Sequence, residues 1–116
     1  MTPFGRKLRE IRAARGMTLK QMAEGMGVSS AYLSALEHGH RGRPSPRFVT
    51  ELCLFMGIIW DDAEALQRVA AMSDPRVTVD TAGLTPDATL LANELAERIA
   101  ELTPAKIAEM RRILAD

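Results

Sequence analysis

The stretch GVSSAYLSALEHGHRGRPSP, from Gly27 to Pro46, decides how the first half of the chain folds. Its first part predicts a short helix that Ser29 caps, with Leu33 and Leu36 spaced to lie on one inward face. Gly39 ends this helix, and a basic loop of histidine, arginine, glycine and proline residues follows. The outer face of the helix carries small side chains and one tyrosine. Such a face can come close to another molecule.

A second short helix precedes this one, and only a tight turn separates the two. Thr18 caps the earlier helix, which extends to about Met26, and Gly27 and Val28 form the turn. Two helices joined in this way are typical of a helix-turn-helix, whose second helix can enter the major groove of DNA. We therefore expect the helix that begins at Ser30 to contact DNA.

Two sets of residues are candidates for this contact. On the outer face of the second helix, hydroxyls could bond to base edges and methyl groups could meet thymine methyls. This base-facing set is Ser30, Ala31, Tyr32, Ser34 and Ala35. Residues around the helix could hold phosphates or enter a minor groove, and this backbone-facing set is Arg15, Lys20, Gln21, Ser29, His38, His40, Arg41 and Arg43. Because serine discriminates weakly between bases, we expect DNA shape to supply part of the specificity.

A longer segment, Arg6 to Gly39, resembles the phage-repressor/Cro type of helix-turn-helix regulator, the XRE family. Its sequence is RKLREIRAARGMTLKQMAEGMGVSSAYLSALEHG. The residues that fall in register with the family pattern are Thr18, Ala23, Gly27, Leu33, Leu36, Glu37 and Gly39. The resemblance extends over roughly residues 4–58. It implies an all-α, five-helix DNA-binding domain, usually dimeric, that regulates transcription in bacteria or phage.

One residue departs from this pattern. Leu19 follows the capping threonine, where the family often has a glutamine that contacts phosphate. Lys20 or Gln21 could replace that contact.

The composition is that of a helical protein with an uneven distribution of charge. The 116 residues are 47% hydrophobic and only 4% aromatic, which favours helices over sheets. Residues 1–60 contain nine Lys or Arg and four acids, a net charge of +5, whereas residues 61–116 contain six and eleven, a net charge of −5. This asymmetry suggests a polyanion-binding module followed by a part with another role.

The pattern of helices predicts a helix-turn-helix DNA-binding domain at residues 1–72 and a C-terminal dimerisation segment at residues 73–116. The expected helices of the first domain cover about residues 3–15, 19–26, 30–38, 46–56 and 62–72. In the C-terminal segment, RVTVD at Arg76–Asp80 could form one short strand, and two helices follow at about 86–101 and 104–114.

The two C-terminal helices carry apolar stripes that cannot all be buried between two short helices that are stable alone. A second copy of the chain is the simplest partner, although the stripes could also fold back onto the fifth helix or bind another protein. The predicted dimerisation residues are Val77, Val79, Leu91, Leu95, Ile99, Leu102, Ile107, Met110 and Leu114. A two-fold dimer would bind a palindromic operator, with its groove helices about 34 Å apart.

We therefore expect a homodimeric regulator that binds double-stranded DNA, with repression favoured over activation. Two alternatives stay open: the antitoxin of a toxin–antitoxin pair that also regulates its own expression, and a protein-binding scaffold with the same fold. We expect no enzyme, cofactor or metal, because Ser34 and His38 lack a nucleophile elbow and an orienting acid, and the histidines lack zinc-site spacing. The single cysteine, the absence of a membrane-length apolar run and the early charges at Arg6 and Lys7 indicate a cytoplasmic protein of bacterial or phage origin, associated with the nucleoid through DNA.

Overall fold

The computed structural model describes all residues, Met1–Asp116, and contains only helices. The prediction of an all-α fold is confirmed. The chain divides into two compact units, Met1–Val77 and Thr78–Asp116. The first unit contains α1 (Pro3–Ala14), α2 (Leu19–Met26), α3 (Ser30–Glu37), α4 (Pro46–Met56) and α5 (Trp60–Ala71). The second contains α6 (Pro86–Arg98), a 3₁₀ turn (Ile99–Glu101) and α7 (Pro104–Ala115).

Most of the helices begin where a threonine or serine side chain caps them. In each case the hydroxyl accepts a hydrogen bond from the backbone N–H three residues later. These caps are Thr2, Thr18, Ser29, Ser45, Thr85 and Thr103. At α2 the exchange is mutual, because the Thr18 N–H donates to Gln21 Oε1 over 2.8 Å. The starts of these helices are therefore local properties of the sequence.

The start of α5 differs from the prediction, which placed the first helical residue at about residue 62. The helix begins at Trp60, and no side chain caps it. Trp60 has a left-handed φ of 54°. The preceding turn explains the shift, since the Ile58 N–H donates to the Cys53 carbonyl over 2.9 Å and the Ile58 side chain packs against the core. The end of α4 thus fixes where α5 can begin.

The short strand predicted at Arg76–Asp80 does not form, and that prediction was wrong. The segment has no regular structure, and its Val77 and Val79 side chains are 75% and 62% exposed. A strand needs a partner for its N–H and C=O groups, and the chain supplies none here. The helix predicted to run to residue 101 also ends earlier, because α6 gives way to the 3₁₀ turn after Arg98.

The first unit has a continuous apolar core to which all five of its helices contribute. The buried members are Phe4, Leu8, Met22, Ala23, Leu33, Leu36, Phe48, Val49, Leu52, Cys53, Met56, Leu66 and Ala70. At Gly5, helix α1 lies against the backbone of α3, and a Cβ atom there would be 2.3 Å from the carbonyl oxygen of Glu37. Ser73 is also buried, and its hydroxyl accepts from the Phe4 N–H over 2.9 Å and donates to the Val69 carbonyl. This hydroxyl ties the end of α5 to the start of α1.

The second unit has no buried residue in any of its helices. Of the predicted dimerisation residues in it, Leu91, Leu95, Leu102 and Met110 line one groove of about 330 Å³. The side chains of Ile99 and Leu114 are 52% and 82% exposed. The unit by itself therefore leaves its apolar stripes accessible. No helix in either unit is both long enough and apolar enough to cross a membrane.

Candidate nucleic-acid interface

Helices α2 and α3 are joined by a short, well-defined turn. Gly27 ends α2 in the left-handed conformation, with φ of 70°, and the Val28 N–H donates to the Ala23 carbonyl over 3.0 Å. Ser29 then caps α3 through the Tyr32 N–H. These local bonds fix the angle at which α3 leaves the turn.

The C-terminal end of α3 is held by a buried ion pair. Glu37 is 2% exposed, and both of its carboxylate oxygens accept from Arg12 of α1, at distances of 3.1 to 3.3 Å. Arg12 also donates to the Met17 carbonyl over 3.3 Å, and Arg9 lies 3.9 Å from the carboxylate. The spacing of Glu37 four residues after Leu33 places it on the inward face, which is the signal for burial available in the sequence. The identity of its partner, 25 residues away, is not encoded locally.

The base-facing set divides into residues with different accessibility. Ser30 and Ala31 are exposed at the start of α3, whereas Ser34 and Ala35 are partly buried. The Ser34 carbonyl accepts from Nδ1 of His38 over 2.8 Å, and the Ser34 hydroxyl lies 3.4 Å from the same nitrogen. The first turn of α3 is therefore the most accessible part of this face.

Tyr32 has a different environment from the rest of the set. It is partly buried, and its ring meets the ring of Phe48 edge to face, with centroids 5.6 Å apart. Phe48 in turn packs against Phe4 in the core, with centroids 6.4 Å apart. The guanidinium of Arg41 lies over the Tyr32 ring, 5.2 Å from its centroid. No spacing pattern in the sequence indicates these contacts.

Most of the backbone-facing set lies in the first turn of α2, at the two ends of α3 and in the loop after it, and several members have hydrogen-bonding groups to spare. Lys20, His40 and Arg41 are exposed. The Ser29 hydroxyl accepts from a backbone N–H, which leaves its own proton free to donate. The amide oxygen of Gln21 is used in the α2 cap, which leaves its NH₂ group to donate. His38 is anchored to its own helix through Nδ1.

Two of the predicted phosphate ligands are engaged elsewhere. Arg43 donates to the Ala71 carbonyl at the end of α5, over 3.4 Å. Arg15 donates to the Met56 carbonyl at the end of α4. Arg15 also lines a groove of about 590 Å³ whose walls include Lys7, Ile59 and Asp62. The guanidinium groups of Arg15 and Arg43 are therefore less free to bind a phosphate than that of Arg41.

The sequence profile described as "Helix-turn-helix domain" matches residues 3–77. The chain belongs to the helix-turn-helix domain family. The resemblance inferred from the first half of the sequence is thereby confirmed. The matched part of this helix-turn-helix chain ends where its first compact unit ends, at Val77, five residues beyond the boundary expected at residue 72. It contains both candidate sets.

Curated proteins of Bacillus subtilis (strain 168) are similar to this helix-turn-helix chain. It is 40% identical over 65 residues to the "Uncharacterized HTH-type transcriptional regulator RghRB", an alignment that covers 56% of this chain and 47% of that protein. It is 42% identical over 52 residues to the "HTH-type transcriptional repressor RghR", which covers 45% of this chain and 38% of that protein. The chain thus spans less than half the length of either relative. No solved structure matches the sequence.

Cys53 lies outside the interface, in the core. Burial raises the pKa of its thiol above the ordinary value of 9.0. A higher pKa means less thiolate at neutral pH, which makes the thiol a poor nucleophile. Cys53 therefore packs as a small apolar side chain.

Proposed function

We propose that this chain is a homodimeric transcriptional repressor that binds double-stranded DNA sequence-specifically, with α3 in the major groove. The observation that carries the proposal is the exposed start of α3, Ser30 and Ala31, on a helix whose other face is fixed in the core. In a helix-turn-helix, the N-terminal residues of the second helix contact base edges. The names of the two relatives support regulation, and one of them supports repression.

The side chains around α3 suit the DNA backbone. The Gln21 amide, in the first turn of α2, and the Ser29 hydroxyl, at the start of α3, can each donate to a phosphate oxygen. Lys20 and Arg41 add two positive charges that no carboxylate in the structure neutralises. Such contacts would fix the orientation of α3, whereas Ser30 and Ala31 would sample the bases.

The second unit supports the homodimer. Its apolar stripes are accessible, and helices of 13 and 12 residues without a buried face are marginal in water. A second copy offers an identical surface, so that one patch can cover another across a two-fold axis. The operator would then be palindromic, with half-sites about one helical turn apart. Binding to chromosomal DNA would place the protein in the cytoplasm.

Selection of bound sequences from random double-stranded DNA, followed by footprinting, tests this proposal. We expect enrichment of an inverted repeat whose half-site centres lie about one turn apart, and protection of the major groove at each half-site. A reporter gene placed behind the selected site should then be expressed less when the protein is present. Failure to enrich any sequence, at low salt as well as high, would contradict the proposal and favour a protein-binding role.

A further inference from the structure

The candidate interface contains an aromatic stack that ends on a cation. Phe4 lies in the core, Phe48 packs on it, Tyr32 packs on Phe48, and the Arg41 guanidinium covers the Tyr32 ring. A guanidinium within about 6 Å of an aromatic centroid is attracted by the ring. The loop that carries Arg41 is therefore connected to the core of the first unit through Tyr32.

Arg41 differs in its bonding from the other arginines near α3. Arg12 donates to Glu37, Arg43 donates to the Ala71 carbonyl and Arg47 donates to Glu51. Arg41 has no ion pair and no side-chain hydrogen bond, and it is exposed. A guanidinium that lies over a ring and makes no hydrogen bond keeps its N–H groups free to donate to an anion.

Two glycines lie near Arg41 in the loop, and the contact with the Tyr32 ring places the Arg41 side chain. Gly39 is in the left-handed conformation with φ of 72°, and Gly42 has no neighbour within 4 Å of a Cβ position. Without a contact to the ring, ordering the long arginine side chain for one phosphate would cost rotamer entropy. A side chain that the ring already holds in place loses less rotamer entropy when it binds a phosphate.

We propose that Tyr32 is a positioning residue, which holds the Arg41 guanidinium ready for a DNA phosphate and does not itself read a base. This inference rests on the proposed function. The Tyr32 ring supplies the contact, and its hydroxyl is not required. Specificity on α3 then comes from Ser30, Ala31 and the other small residues.

The stack can be tested in the free protein by NMR. In the full-length chain, the δ-methylene protons of Arg41 should be shifted upfield by the ring current of Tyr32, whereas those of Arg43 should not. Tyr32→Phe should preserve the shift, and Tyr32→Ala should abolish it. Equal chemical shifts for Arg41 in the unmodified chain and in Tyr32→Ala would overturn the inference whatever the protein binds.

The effect on DNA is tested by titrating the selected operator with the same variants at several salt concentrations. Tyr32→Phe should bind as tightly as the unmodified chain, and Tyr32→Ala should bind about two- to fivefold more weakly. The salt dependence of log affinity should flatten by up to about 0.9 for each phosphate that Arg41 no longer neutralises. In an Arg41→Ala background, Tyr32→Ala should have no further effect.

The possible failures are distinguishable. If Tyr32→Phe weakens binding, or if Tyr32→Ala weakens it equally with and without Arg41, Tyr32 contacts the DNA itself and the positioning role is wrong. If the unmodified chain binds no DNA, the proposed function fails, and this inference fails with it even though the NMR shift remains. All titrations should be made well below the melting temperature of each variant, so that loss of packing on Phe48 does not reduce the folded fraction.

Discussion

At the scale of single residues, the important interactions join positions that are distant in the sequence. Glu37 accepts from Arg12 across 25 residues, and the Ser73 hydroxyl bonds to the Phe4 N–H across 69. In the sequence, Glu37 falls in register with the family pattern, but that pattern does not specify which arginine meets its carboxylate. The role of Ser73 was not predicted at all, because its spacing indicates only a helix break.

Replacement of Glu37 by glutamine should destabilise the first unit strongly. The substitution leaves the Arg12 guanidinium, which is 18% exposed, without its carboxylate, and breaking such a pair costs about 3 kcal/mol of the free energy of unfolding. Urea denaturation followed by circular dichroism measures this change. Glu51→Gln is the matched control, because the Arg47–Glu51 pair is exposed and should be worth less than about 1 kcal/mol. Equal effects of the two substitutions would show that burial does not strengthen the Glu37 pair.

Alkylation of Cys53 should be slow in the folded chain and fast in the unfolded one. Burial both excludes the reagent and raises the pKa of the thiol, so that less thiolate forms at pH 8. Mass spectrometry after timed exposure to iodoacetamide, with and without urea, gives the two rates. Rapid labelling under native conditions would contradict the assignment of Cys53 to the core.

The raised pKa of Cys53 also makes the free energy of unfolding depend on pH, in a direction that can be stated. As the pH rises through the ordinary thiol pKa, the unfolded chain loses this proton before the folded chain does. The contribution of Cys53 to stability is therefore complete below that pH and is lost as the pH rises through the folded pKa. Cys53→Ala should remove this part of the alkaline loss, which shows as a difference between two stability–pH curves. Parallel curves would exclude the shift.

At the scale of helices, local chemistry was sufficient wherever a cap or a glycine determines the boundary. The starts of α2, α3 and α4 were predicted at Leu19, Ser30 and Pro46, because each follows a capping hydroxyl. The start of α5 was missed because the packing of Ile58 decides it, and packing is not visible in a local pattern. The strand at Arg76–Asp80 was predicted wrongly because alternation describes a segment and says nothing about whether a partner strand exists.

Gly5→Ala should destabilise the crossing of α1 over α3. Alanine favours a helix by about 1 kcal/mol over glycine, so helix propensity alone predicts a gain in the free energy of unfolding. The new Cβ would instead lie 2.3 Å from the Glu37 carbonyl oxygen, and a backbone atom in a packed helix cannot move away cheaply. We expect a net loss of more than about 1 kcal/mol in urea denaturation, since overpacking typically costs about 1–3 kcal/mol.

Gly25→Ala in α2 is the matched control for this crossing. Its Cβ would also meet an atom at 2.3 Å, but that atom is the tip of the Phe55 ring, which is 39% exposed and can turn outward. This variant should therefore be close to neutral. Comparable losses in the two variants would contradict the distinction between a backbone contact and a side-chain contact.

At the scale of the whole molecule, the two units differ in whether they have a buried core of their own. Every buried side chain belongs to the first unit, whereas the helices of the second have none. The sequence predicted that the two C-terminal helices alone could not bury all of their apolar stripes. It could not predict what covers the stripes of the second unit, because amphipathic spacing does not identify a partner.

We expect the full chain to be a dimer and residues 1–77 to be a monomer. The first unit keeps its core and the Ser73 hydroxyl when cut after Val77, whereas the cut removes the accessible apolar stripes. Light scattering at micromolar concentration measures both masses. Leu91→Glu with Leu95→Glu in the full chain should also give a monomer, since charges on this groove oppose its burial. A monomeric full chain would contradict the homodimer and favour a different protein partner.

The central claim is that the exposed start of α3 lies in the major groove, and one titration tests it most directly. Ala31→Glu places a negative charge on that exposed face, whereas Ala13→Glu makes the same change at an exposed position on α1. Measured against the selected operator, with thermal melting to show that both variants are folded, Ala31→Glu should lose specific binding and Ala13→Glu should largely retain it. Unchanged affinity and specificity in Ala31→Glu would contradict the docking of α3 on DNA.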